Sequence, residues 1–194
     1  MKKTFLLAMT GLSLALAGCV VTSVYPFYTA KDVVFDPALL GTWIEGDPDS
    51  KSEDTWTFAK GDGQEYKLTI GSDAKGEVYD ATLFKFTGDS FLDLFPARSE
   101  GGGIPPHMLI RVAQIQPSLK MASLKYDWLK QLVEKDPRAI RHVRIKEKDS
   151  DGKVDYRVVL TADTDALQSF VRKHLRTAEA WDGGGEMKRQ DARK

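Results

Sequence analysis

The sequence predicts a mainly β domain, α+β by content, in which an antiparallel meander closes into a barrel or a strongly curved sheet and two helices come late. Three observations predict it. Eight or so short runs of β-branched and aromatic residues alternate with polar ones at period two. Turn residues separate these runs at nearly regular spacing. Beyond the amino-terminal segment, the helical stripes of apolar residues all fall after residue 125.

The first strand follows Phe35-Asp36-Pro37-Ala38-Leu39-Leu40-Gly41-Thr42-Trp43. Asp36 is a good cap, Pro37 a good first helical position and Gly41 a good terminator, so one short helical turn feeds the strand. In Thr55-Trp56-Thr57-Phe58 the aromatics share one face, and Tyr66, Leu68 and Ile70 alternate with Lys67 and Thr69. Gly61-Asp62-Gly63 and residues 72–76 are turn material between these runs. Residues 78–86 continue the meander, with a slip of parity between Leu83 and Phe84 that signals a bulge or a strand covered on both sides. In residues 90–96 Leu92 and Leu94 face opposite to Phe91 and Phe95, which again predicts two-sided burial.

A long connection over residues 97–106, rich in Gly and Pro, leads to strands at 107–115 and 119–124. Trp128, Leu129, Leu132 and Val133 then form a helical stripe ended by Asp136-Pro137. Two more strands, 141–146 and 156–161, flank the Ser150-Asp151-Gly152 turn. Asp163 or Thr164 caps a second helix whose apolar positions are Leu167, Phe170, Val171, His174 and Leu175. Residues 182–194 show no apolar period, and a disordered tail is expected there.

At the amino terminus Lys2 and Lys3 precede an apolar run from Phe5 to Leu16, too short for the ~20 residues of a membrane-spanning helix but right for a secretory signal. The junction Leu16-Ala17-Gly18-Cys19 resembles the lipobox of bacterial lipoproteins. That resemblance implies a diacylglyceryl group on the Cys19 sulfur, cleavage before Cys19 and acylation of the new amino terminus, and two or more chains make anchoring stable. Val20, not Asp, follows the cysteine, which in such lipoproteins implies the outer membrane, lipid-anchored and facing the periplasm. Cys19 is the sole cysteine, so no internal disulfide is possible and lipidation would consume the one thiol. The expected organisation is a signal peptide over 1–18, a lipidated tether over 19–34 with Tyr25 to Tyr28 packed on the domain or the lipid, a single β-rich domain over 35–181, and the tail.

Cleavage removes two lysines and no acid, so 28 Lys+Arg against 28 Asp+Glu becomes a formal charge of −2. A surface so nearly neutral gives no reason to expect nucleic acid. Gly41-Thr42-Trp43, after its short helical turn, resembles the Gly-x-Trp signature of lipocalins, some bacterial members of which are outer-membrane lipoproteins. In that family the Trp closes the barrel floor and packs against a late Arg.

Catalytic patterns are missing. His107, His142 and His174 have no shared ligand spacing, so no metal is expected; no Gly-x-Ser-x-Gly elbow occurs; and the glycine clusters at 101–103 and 183–185 do not open helices as phosphate loops do. Asp89 with Asp93 and Glu53 with Asp54 fall where solvated acids are ordinary. His174, on an apolar helix face, is expected to bond a neighbouring strand; His107 alone is a plausible site residue, though the start of a strand is the better reading of its position. The basic alternation Arg138, Arg141, Arg144, Lys146, Lys148 suits either an edge strand that avoids pairing or a surface that meets anionic headgroups. An aromatic interior is expected from Trp43, Trp56, Phe58, Tyr66, Phe84, Phe86, Phe91 and Phe95, of which Trp43, Trp56, Tyr66, Phe84, Phe91 and Phe95 are the candidate ligand-binding residues. The sequence leaves open whether that interior is filled or hollow. The functional expectation is a non-catalytic, cofactor-free, membrane-anchored lipoprotein that binds a small hydrophobic ligand or an envelope protein; the alternative is an assembly subunit recognised through the 97–106 loop or the Trp128 helix. A hydrolase using His107 with an acid stands behind both, for want of a nameable nucleophile.

Overall fold

A computed structural model describes residues 20–45, 55–71, 76–97, 106–148, 154–182 and 185–190. The period-two runs become the strands β2 (Gly41–Glu45), β3 (Thr55–Lys60), β4 (Tyr66–Ile70), β5 (Glu77–Phe86), β6 (Asp89–Pro96), β7 (His107–Gln114) and β8 (Leu119–Ser123), each antiparallel to the next. β11 (Glu186–Arg189) pairs with both β8 and β2 and so closes an eight-stranded antiparallel barrel. Asp36 caps the turn over Pro37–Leu39 ahead of β2, its side chain accepting from the Ala38 amide.

β11 lies in the stretch expected to be disordered. A strand of four residues that inserts a single apolar side chain, Met187, has no readable period, yet Met187 is buried and Arg189 adds anchorage of another kind. The Arg189 guanidinium sits 4.5 Å over the ring of the fully buried Trp43 and donates to the carbonyls of Leu40 and Ala38. Trp43 Nε1 donates to Leu39 O at 2.8 Å, so ring, turn and strand end form one floor. Gly41 has φ +117°, a conformation that side-chain-bearing residues rarely adopt, and a Cβ there would stand 2.9 Å from an Arg189 guanidinium nitrogen and displace it.

Two cores result. Inside the barrel pack Trp43, Phe58, Tyr66, Leu68, Leu83, Leu92, Leu94, Ile110 and Leu119, among others. Outside it, the opposite face of β5 to β7 supplies Phe84, Phe91 and Leu109 to a second core under α1 (Tyr126–Lys135), α2 (Thr164–His174) and Trp181. The β5–β6 register runs unbroken from Tyr79↔Pro96 to Phe86↔Asp89, so the parity slip at Leu83–Phe84 reflects cover on both sides rather than a bulge. The register shift in this sheet falls instead in β7, between Val112 and Gln114.

The strands expected at 141–146 and 156–161 form β9 (His142–Lys148) and β10 (Val154–Leu160), but they lie outside the barrel. β1 (Thr22–Ser23) joins them to it, pairing antiparallel with the start of β7 and parallel with β10. Residues 20–34 are therefore no free tether. Val21 and Phe27 belong to the outer core and Val20 to the inner one. Their backbone is held by distant side chains: Asp93 accepts from Phe27 N at 2.9 Å, Gln168 donates to Phe27 O at 3.1 Å, and Thr164 donates to Pro26 O at 2.8 Å. The polar look of this segment's neighbours hid these contacts, since every partner lies more than 60 residues away. Among the described residues no helix is long and apolar enough to cross a membrane.

Candidate functional site

The six aromatics expected to line a ligand cavity divide between two places. Trp43 and Tyr66 face the interior, with Trp56 packed partly buried at its edge. They pack on other rings: Tyr66 stacks on Phe35 at 4.9 Å and meets Phe58 edge-on at 6.1 Å, and Trp56 lies 6.3 Å from Phe58. The Tyr66 hydroxyl accepts from Asp36 N at 2.7 Å and donates to Asp36 O at 3.0 Å, and burial raises its pKa above the ordinary phenol value. These side chains fill the space between the strands and tie it to the amino-terminal turn.

Phe84, Phe91 and Phe95, by contrast, are not interior residues. Phe84 and Phe91 stack at 5.4 Å in the outer core, where Phe91 also meets Trp181. Phe95 lies over His107, 4.7 Å between centroids. The physical reason is strand parity: Phe91 and Phe95 alternate with Leu92 and Leu94, and the leucines take the inward positions. Phe86 likewise packs against the outer core.

Following that outer face along β5 and β6, the apolar pair Phe84/Phe91 gives way to Thr82/Asp93 and then Asp80/Phe95, residues directly opposite each other in register. Here Tyr28, Glu65, Asp80, Thr82, Asp93, Phe95 and His107 line a cavity of about 210 Å³. β7 contributes His107, whose diagonal position relative to the Asp93↔Leu109 pair brings the two side chains together. His107 Nδ1 lies 2.7 Å from Asp93 Oδ1, and Asp93 is only 2% exposed. The contact ties the β7 imidazole to the β6 carboxylate at the wall of the cavity.

The other Asp93 oxygen takes the Phe27 amide, which seats Tyr28 at the cavity wall. Thr82 donates to the Tyr28 hydroxyl at 3.4 Å. Burial, reinforced by the nearby Asp93 and Glu65 charges, raises the Tyr28 pKa, so its phenol stays protonated and able to donate. Asp80 is joined to Lys67 at its outer edge. Three carboxylates, one imidazole and two aromatic rings thus converge on a space below the ~300 Å³ at which drug-sized pockets begin. The arrangement suits a side-chain-sized cationic group: carboxylates to accept its hydrogen bonds and ring faces to pack on.

The lining holds no serine or cysteine, and among the described residues no group of three His, Cys, Asp or Glu side chains is arranged to hold a metal ion. Of the acids paired on sequence grounds, Asp89 instead takes Arg111 at 2.6 Å, while Glu53 and Asp54 lie outside the described residues. His142 makes a local contact with Ile140 O. His174 sits in an aromatic box, 4.8 Å from both Trp128 and Phe170, and bonds no neighbouring strand through Nε2, which has no hydrogen-bond partner among the described residues. Cys19 and residues 98–105 of the long loop also lie outside what the structure describes.

Sequence reasoning singled out His107 and, as a ligand-binding candidate, Phe95, but missed Asp93 as the partner of His107 and missed Tyr28, Glu65 and Thr82 as site residues. One signal was present: a carboxylate between Leu92 and Leu94, in the middle of an apolar run, is costly to bury unless something answers it. No protein-family model, curated protein or solved structure matches this chain.

Proposed function

We propose that the chain is a bacterial lipoprotein, anchored at the outer membrane through acylated Cys19 and facing the periplasm, whose barrel recognises a protein partner by a basic side chain received in the outer-wall cavity. The carrying observation is the division of labour between the two faces of the barrel wall: bulky rings and leucines pack the inside, while the acid-lined recess opens on the outside. An interior occupied by rings and leucines argues for outer-surface recognition over the carriage of a hydrophobic ligand, and carboxylates set beside ring faces argue for receiving a cation. The lipobox supports the anchoring half, and the Trp43–Arg189 floor supports the lipocalin-like half.

The test is a titration of the full-length lipoprotein, followed through the His107 imidazole resonances, with short lysine- or arginine-bearing peptides, a neutral peptide and a fatty acid. Basic peptides are expected to move His107 and to bind roughly ten-fold more weakly to Glu65→Gln, the loss of one charge-assisted hydrogen bond. Saturable fatty-acid binding that quenches the tryptophans without touching His107 would return the reading to a hollow barrel. The anchor is checked separately by the mass of the mature amino terminus.

A further inference from the structure

We infer that the β9–β10 hairpin is a membrane-contact surface that lays this domain on the phospholipid leaflet holding its anchor, an inference that rests on the acylation of Cys19 proposed above. Val143, Ile145, Val154 and Tyr156 are each between 42% and 47% exposed, and together they make this hairpin the largest concentration of exposed apolar side chains in the described structure. Antiparallel partners share a face, so Val143 lies beside Val159 and Ile145 beside Arg157 on one side; Lys146 lies beside Tyr156 and Lys148 beside Val154 on the other. Apolar side chains are thus offered from both sides of an edge hairpin.

Charge alone explains an edge strand that avoids pairing with other chains. It does not explain four exposed apolar side chains set among the charges. That mixture, a tyrosine and β-branched residues interleaved with lysines whose stems can lie along apolar surface, is what a lipid headgroup region takes up. The sign of the charge agrees. From Arg138 to Lys148 the chain carries five Lys or Arg and one acid, and that acid, Glu147, is joined to Arg157 at 2.9 Å. On β10, Asp155 is joined to Lys130 at 2.7 Å. Such a surface complements anionic phospholipid.

The position of the anchor selects the bilayer over other occupants. Val20, the residue after Cys19, is already buried and bridged to Lys125, so there is no slack between acyl chains and fold. β1 runs parallel to β10 with Thr22 opposite Val159, so the chain enters β1 from the side on which β10 begins, where Val154 and Tyr156 stand. Cys19 precedes Thr22 by three residues, at most about 10 Å of chain. A domain moored that tightly must set some surface against the leaflet, and the hairpin is the surface beside the mooring.

The experiment uses the full-length protein made in a lipidating bacterium and reconstituted into phosphatidylethanolamine–phosphatidylglycerol vesicles. An environment-sensitive fluorophore is placed on Ile145→Cys or, as a control, on Lys67→Cys in β4, three strands round the barrel from β7. Acylation of Cys19 leaves the introduced thiol as the labelling site. The expected result is a blue-shifted emission at position 145, quenched several-fold more by lipid-borne doxyl groups than at position 67, and reduced by Lys146→Glu with Lys148→Glu. If the protein floats with the vesicles while both positions read as aqueous, the contact surface is wrong and the anchor stands. If it does not float and both Cys19 and the new cysteine take label, the anchor is wrong and the inference falls with it. A blue shift at 145 that persists in detergent, with cross-linking between copies, assigns the patch to a dimer instead and overturns the inference.

Discussion

The two cores meet across β5 to β7, which give one face to each, and they differ in where their residues come from. The inner one is assembled from consecutive strands: Trp43, Phe58, Leu68, Leu83 and Leu94 come from β2, β3, β4, β5 and β6 in turn. The outer one gathers Val21 and Phe27 from the amino-terminal segment, Phe84 and Phe91 from mid-chain, Leu129 from α1 and Phe170 from α2. A barrel can thus hold its interior by local alternation, while the layer over its wall depends on contacts that span nearly the whole chain. The candidate binding cavity lies where that outer layer stops, at the margin between Phe84/Phe91 and open solvent.

The largest effect is expected inside. Trp43→Ala removes a fully buried ring, its bond to Leu39 O and the platform for Arg189, and should lower stability by about 3–5 kcal/mol in urea denaturation. A loss below about 1 kcal/mol would mean that the floor of the barrel is not where the fold is held. Leu129→Ala, fully buried in the outer layer, should cost about 3 kcal/mol. Amide hydrogen exchange then separates the two cores: protection is expected to fall in α1 and α2 and to survive in β3 and β4. Equal loss in both places would make them one cooperative unit.

The smallest effect concerns the pH response of the outer layer. Burial, with the Lys173 charge adding to it, holds the His174 pKa below its ordinary value. The unfolded chain therefore takes up the proton first as pH falls. The corresponding stability is complete above the unfolded pKa of about 6.5 and is lost as pH falls from there toward the lowered folded value. His174→Leu should flatten the stability profile between about pH 7 and about pH 5, read by the fluorescence of Trp128 and Trp181. An unchanged slope would assign that response to another group.

How legible each region was follows from the same contrast. The alternation Tyr66, Leu68, Ile70 and the cap at Asp36-Pro37 announce the inner barrel because one-sided burial leaves a period in the sequence. Phe84 and Phe91 misled because strands covered on both faces lose that period, and an aromatic residue does not say which side it fills. β11 was unreadable because four residues with one inward apolar side chain carry no pattern, its stability resting on edges supplied by β2 and β8. Of the cavity, His107 could be singled out in advance, but its pairing with Asp93 depends on the β6–β7 register across a long connection, which no local feature specifies.

The ring of strands is locked by β11, which the ribosome adds after every other described strand. Until Glu186–Arg189 is made, β2 and β8 face each other as bare edges, and the growing polypeptide is an open sheet that can pair with strangers or be clipped by proteases. Quality control is thereby built into chain order: a nascent product truncated before β11 cannot close.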